Sequence, residues 1–199
     1  MTAGISASSF AAPPAYSEEA ELHIVGPRKG YSPQIGTLVS MMVFMRSQVL
    51  ASVKGMTQKD LDFLFDDKAN TIGALLHHIA AADRIFHINT FQNTPFNQMP
   101  TDFQDKFGVA LSLGEPARKT IKGHDLDFYL NLLTETREKT FAEFRKRDDA
   151  WLAAVDKDFP WGATNNHCKW FHVCEHESNH NGQIKLIKSR LSGAKPAGE

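Results

Sequence analysis

A chain of 199 residues, 42% hydrophobic and 23% charged, is long enough to bury a core as one domain without disulfides or a metal staple. Its net charge of −1 leaves no basic surplus to neutralise phosphates, which argues against a nucleic-acid partner. The two cysteines, Cys168 and Cys174, fall in one helical segment at a spacing that points them apart, so a reducing compartment is expected and the cytoplasm is the default location.

Residues 1–30 read as a poorly ordered N-terminal extension. Met1 to Tyr16 is small, polar and proline-bearing, without the basic start and apolar run of a secretory leader. Leu22, Ile24 and Val25 are its candidates for lying against the domain. The first long helix opens at Ser32-Pro33, a cap residue followed by proline at the first helical position. Its apolar stripe is Ile35, Leu38, Met42, Met45 and Val49, and Gly55 sits where it should stop. Met41 and Phe44 widen that surface, which fits either a deep core or a chain that self-associates. No segment is expected to have the uncharged apolar length of a membrane span.

A short helical piece, Thr57 to Phe65, is predicted next. The second long helix covers about Asn70 to Phe91, with Ile72, Leu75, Ile79, Ala82 and Phe86 on one stripe. From Asn93 to His124 the chain carries Pro95, Pro100, Gly108, Gly114 and Pro116, with one short helix near Thr101 to Leu111. A connection of that size suggests a crossover rather than a hairpin, and it can wall a functional site. The third long helix, about Asp125 to Arg147, turns Leu126, Leu130, Leu133, Phe141 and Phe144 inward. The fourth runs from near Thr164 to Leu191, and residues 194–199 read as a flexible tail. Strand alternation is absent over any useful length. These elements predict an all-α fold, a four-helix bundle over residues 31–193 with a long crossover between its second and third helices.

The chain has nine histidines, and the last helix concentrates them. His172, His176 and His180 follow one another at a spacing of four, which stacks imidazoles one turn apart and lets two converge on one ion. The apolar stripe there is Val173, Ile184, Ile187 and Leu191. At ~100° per residue, His180 falls near its centre, His176 beside it and His172 at its edge. Two inward histidines each need a buried partner, which either a metal ion or hydrogen bonds within the core would provide. A third ligand must come from another helix. His78 flanks the stripe of the second helix with Leu75 and Ala82 on its side, whereas its neighbour His77 points ~100° away.

The segments Thr71-Ile72-Gly73-Ala74-Leu75-Leu76-His77-His78-Ile79-Ala80-Ala81-Ala82-Asp83 and His176-Glu177-Ser178-Asn179-His180-Asn181-Gly182-Gln183-Ile184 resemble the DinB/YfiT-like superfamily of metalloenzymes. The likeness spans about residues 31 to 192, and Phe159-Pro160-Trp161-Gly162 suits it. The resemblance implies a three-histidine site at His78, His176 and His180 for one divalent transition metal, zinc or nickel, and often a homodimer. Gly182 and Gln183 match positions beside that site. The glycine permits close helix approach and the glutamine orients a ligand or water; His172 and His77 are further supporting candidates. Asp83 occupies a place that is often acidic. The resemblance further implies thiol-dependent S-transfer to small electrophiles, with a low-molecular-weight thiol as co-substrate. Three neutral imidazoles leave a coordination position open, so the site suits catalysis better than structure.

Two other readings stand beside it. One is a metal-dependent hydrolase of a small substrate. His176-Glu177-xx-His180 has the metalloprotease spacing, which makes Glu177 the one weak candidate for a catalytic base. A downstream third ligand of that class is missing, and a solvated helix edge equally accounts for Glu177. The other is a non-catalytic bundle whose metal ties the second helix to the fourth.

Overall fold

The computed structural model describes residues 21–194; the expectations for residues 1–20 and 195–199 lie outside that range. The elements in order are α1 (Pro33–Val53), α2 (Gln58–Leu61), α3 (Ile72–Gln92), a 3-10 turn (Phe96–Gln98), α4 (Thr101–Phe103), a π turn (Gln104–Gly108), α5 (Val109–Ser112), α6 (Gly114–Thr120), α7 (Leu126–Phe144), α8 (Asp149–Ala153), β1 (Val155–Asp156), β2 (Thr164–Asn165) and α9 (Asn166–Lys188). The fold is all-α. The sequence pattern missed the 3-10 turn, α6, α8 and the two-residue antiparallel hairpin of β1 and β2 just before α9.

Local chemistry starts each long helix. Thr71, Asp125 and Asn165 each accept a backbone N–H three residues on, satisfying a donor that the first turn leaves free. α1 is different, because Ser32 caps nothing itself. Its hydroxyl donates to the Asp149 carboxylate at 2.5 Å, and that carboxylate accepts the Gln34 N–H at 3.0 Å, so the α1 N-terminus is capped from α8. α3 ends on Asn93 in the left-handed conformation (φ 53°), where an asparagine is well tolerated.

Contacts fix how the long helices run. Along α3 and α7 the pairs Gly73–Tyr129, Asp83–Arg137, His87–Thr140 and Phe91–Phe144 advance together, so these helices are parallel. The residues between them therefore carry the chain back along the bundle. α1 and α9 are also parallel, through Arg46–Glu177 and Ser52–Lys188. α3 and α9 are antiparallel, through His78–His180 and Thr90–Trp170. Trp170, Tyr129 and Phe144 are the largest fully buried side chains. Tyr129 lies so close to Gly73 that a Cβ there would stand 2.6 Å from its hydroxyl oxygen, which leaves no room for any side chain.

α1 is long and apolar enough to cross a membrane by length and composition, contrary to the sequence expectation. Half of the qualifying window is buried in the protein, as in a core helix. In the segment before it, Ile24 and Val25 are exposed, and Leu22 lines a recess with Val43, Leu50 and Phe141.

Each of the four long helices sends one charged side chain into the centre: Arg46 from α1, Asp83 from α3, Arg137 from α7 and Glu177 from α9. Glu177 accepts Arg46 Nε on one oxygen and Arg137 Nη2 on the other, the latter at 2.7 Å. Asp83 accepts Arg137 Nε at 2.7 Å and the Thr140 hydroxyl at 2.6 Å. The arginines also donate to backbone carbonyls of Leu133 and Met42. The quartet is neutral as a whole, which is what makes its burial tolerable. Removing Glu177 would take away the close carboxylate of Arg46 and leave Arg137 with Asp83 alone. Glu177→Ala is expected to destabilise the protein by ~3–5 kcal/mol in urea titration; a loss below ~1 kcal/mol, the range of exposed pairs, would mean the arginines reach water.

Candidate metal centre

His78 comes from α3, and His176 and His180 come from successive turns of α9. Their Nε2 atoms converge: those of His78 and His176 lie 3.1 Å apart, those of His176 and His180 3.0 Å. The three residues form a group able to hold a metal ion, with ligand atoms all within 4.8 Å of one another.

The outward ring nitrogens decide what the inward ones carry. His78 Nδ1 donates to the Ala110 carbonyl at 2.9 Å, and His180 Nδ1 donates to Gln183 Oε1 at 3.0 Å. A neutral imidazole has one ring proton, so both rings present a bare lone pair at Nε2. Lone pairs meeting at this distance repel unless a cation or proton sits between them. Tetrahedral coordination with Zn–N bonds of ~2.0–2.1 Å would set the donors roughly 3.3 Å apart, close to the spacing here. The donor set fits a borderline divalent ion.

Burial keeps the rings neutral. Burial and then the neighbouring His180 pull His78 down to about 4. Burial, then His180, His78 and His172, pull His176 to about 3. His180 is lowered by burial as well. Neutral imidazole is the form that binds metal.

The other expected residues separate. Gln183 stands at His180, as described. His172 is half-buried at the edge of the group; its Nδ1 pairs with Glu175 at 2.7 Å, and its ring packs against Trp161 and Phe86. His77 is turned away: its Nε2 donates to the Lys106 carbonyl at 3.0 Å and its ring meets Phe107 and Phe128. Gly182 is not a close-approach point, since a Cβ added there would meet nothing within 4 Å. Cys168 is exposed and Cys174 buried, both as free thiols.

Glu177 required the largest correction. It is neither a solvated edge nor a free base but is 1% exposed and bound by two arginines, so the metalloprotease spacing around it lacks the base that chemistry needs. Sequence reasoning missed Arg46 and Arg137 altogether. Arg46 lies four residues after Met42, at a stripe position the sequence reading gave to Met45, which is only half-buried. The Ala110 carbonyl, which orients His78 from thirty-two residues away, had no local signal.

A protein-family model described as mycothiol-S-transferase matches residues 37–193, which takes in all three histidines. No curated protein matches the chain.

The depressed histidines set an acid limit on the metal-free protein. Their unfolded value is near 6.5 and the folded values are about 4 and about 3, so the unfolded chain takes up protons first as pH falls. Stability is full above 6.5 and is lost progressively as pH falls toward about 4 for His78 and about 3 for His176. Calorimetry of chelator-treated protein should show the melting temperature dropping across that window; a flat profile would mean that these rings are not held neutral.

Proposed function

Because the chain belongs to the mycothiol-S-transferase family, a DinB/YfiT-like family, we propose that it transfers a small electrophilic group to a low-molecular-weight thiol at one divalent ion held by His78, His176 and His180. The observation that carries this reading is the convergence of three Nε2 atoms, two of them left bare by outward hydrogen bonds. Zinc or nickel suits imidazole donors, and a bound ion of this kind is a Lewis acid that lowers the pKa of a thiol near it.

The residues divide the work. His78, His176 and His180 would hold the ion without adding negative charge, and the ion would supply a Lewis acid there. Ala110 and Gln183 fix two of the rings. Asp83 and Glu177, which would offset that charge as ligands, are committed to Arg137 and Arg46. In the reaction the thiol S–H proton leaves to solvent and a sulfur–carbon bond forms. The bond from that carbon to its leaving group breaks, and the leaving group keeps the electron pair. Lowering the thiol pKa raises the thiolate fraction at neutral pH and costs some intrinsic nucleophilicity. Neither Cys168 nor Cys174 joins the histidine group, so neither is the nucleophile. Their free state suits a reducing, cytoplasmic setting.

Elemental analysis should give about one transition ion per chain. His176→Ala or His180→Ala should abolish binding, His172→Ala should leave most of it, and Gln183→Ala should weaken it by ~10–100-fold. The metal-loaded protein should turn over a chloro-arene or epoxide with a thiol from a panel of mycothiol, bacillithiol, glutathione and coenzyme A. Turnover must vanish in His180→Ala and persist in Cys168→Ser/Cys174→Ser. Full metal occupancy with no turnover on that panel would sink the transferase reading and favour hydrolysis or binding.

A homodimer, which the DinB/YfiT-like resemblance implies, is part of the same proposal. Light scattering is expected to give twice the chain mass; a monomer mass at working concentration removes it.

A further inference from the structure

The histidine group is reached from solvent at His176. His78 and His180 are buried, whereas His176 is half-buried. One turn earlier on α9 stands His172, also half-buried, its ring 5.3 Å from that of His176. Trp161 meets His172 edge-on at 4.8 Å. The open side of the group therefore continues, through two ring contacts, onto an indole.

Trp161 is 54% exposed, and its surroundings fix it there. Residues 159–162 form a tight turn, closed by the Gly162 N–H donating to the Phe159 carbonyl at 2.8 Å. Pro160 takes the second position, where its fixed φ suits a turn, and Gly162 at φ 94° adopts a conformation open mainly to glycine. The Thr164 hydroxyl donates to the Gly162 carbonyl at 2.8 Å, tying the turn to β2. Buried Phe159 meets the indole edge-on at 5.0 Å. Buried Phe86 lies 6.2 Å from the indole and 5.7 Å from the His172 ring. A ring laid on this shelf would cover apolar area without first having to order the side chain beneath it.

Ring chemistry selects what that partner is. The face of an indole is its electron-rich part. An arene drained by nitro groups presents the complementary face, so the two stack. The same electron poverty makes a ring carbon bearing a halide an electrophile toward a thiol. A saturated acceptor of equal size gains area burial only.

We infer that Trp161, with His172 and Phe86, forms the acceptor subsite, and that it takes an electron-poor aromatic ring bearing a leaving group. Its role as acceptor site rests on the proposed transferase activity; its binding of the ring does not. In the transfer a sulfur–carbon bond forms at the ring carbon and the carbon–halogen bond breaks. The halide leaves with the electron pair, and the thiol proton passes to solvent.

Binding is tested apart from turnover, by titrating nitrobenzene into the chelator-treated full chain. Two-dimensional NMR follows the backbone amides and the indole N–H groups of Trp151, Trp161 and Trp170. A saturable shift is expected at the Trp161 indole and at residues 159–164 and 172–176, with the fully buried Trp170 unmoved. Nitrocyclohexane, which keeps the nitro group and loses the aromatic face, should bind ~fivefold more weakly. Trp161→Ala should remove the nitrobenzene shifts, and Trp161→Phe should restore most of the affinity. In the metal-loaded protein, the kcat/KM preference for 1-chloro-2,4-dinitrobenzene over propylene oxide should fall ~tenfold in Trp161→Ala. Equal binding of the two nitro compounds, shifts that survive Trp161→Ala, or an unchanged acceptor preference would each overturn the assignment. Intact nitrobenzene binding with no turnover of either acceptor would instead sink the transferase reading and leave the aromatic-ring site standing.

Discussion

Four buried charges, one from each long helix, hold the bundle in a single register. Arg46, Asp83, Arg137 and Glu177 satisfy one another only when all four helices are at the correct height and rotation. A sliding helix in an apolar core exchanges one methyl contact for another at small cost, whereas here a shift of one turn would leave charges unpaired away from water. Well-packed apolar residues often match a buried ion pair in stability, so what the quartet contributes is register more than net free energy. One nitrogen, Arg46 Nη2, has no hydrogen-bond partner and lies 4.0 Å from Asp83, which marks it as the least well-satisfied member.

That register places the histidines. On α9, His176 and His180 lie ~100° and ~60° to one side of Glu177 at helical spacing. Once Glu177 is turned onto the arginines of α1 and α7, both imidazoles must face α3. Asp83 fixes α3 in the same way through Arg137, and His78 follows five residues earlier on the same rigid helix. The connection between α3 and α7 completes the arrangement, because the Ala110 carbonyl of α5 takes the His78 ring proton. A histidine group drawn from two helices is thereby fixed by contacts with the other two helices and a distant loop.

Much of this was legible in the sequence. Four helical segments followed from stripes of period 3.6, and three histidines were singled out by position on those stripes. What was not legible depended on partners remote in sequence. Asp83 occupies a place that is often acidic in the resembling family, but nothing local connects it to Arg137 fifty-four residues later. Arg46 was hidden by the choice of Met45 for the stripe, a one-residue ambiguity that periodicity alone does not resolve when both neighbours pack partly inward. The choice between His77 and His78 was made by angle. In the folded chain the Lys106 carbonyl and the rings of Phe107 and Phe128 occupy His77 on the opposite side.

Glu177 shows why the same spacing can carry different chemistry. A general base between two metal-binding histidines needs a carboxylate with a free lone pair and access to the water or thiol it deprotonates. Here one oxygen is bound by Arg46 and the other by Arg137, with 1% of the residue exposed. Both oxygens are committed to guanidinium groups, so the carboxylate is unavailable to a substrate. The histidine group next to it would, when loaded, supply three imidazoles and no carboxylate ligand to offset the ion's charge. Those conditions favour stabilising an anion that the substrate itself supplies, such as a thiolate, over generating a nucleophile with an enzyme base. The quartet that sets the register thus also excludes base-assisted hydrolysis of the metalloprotease kind from the same histidine pair.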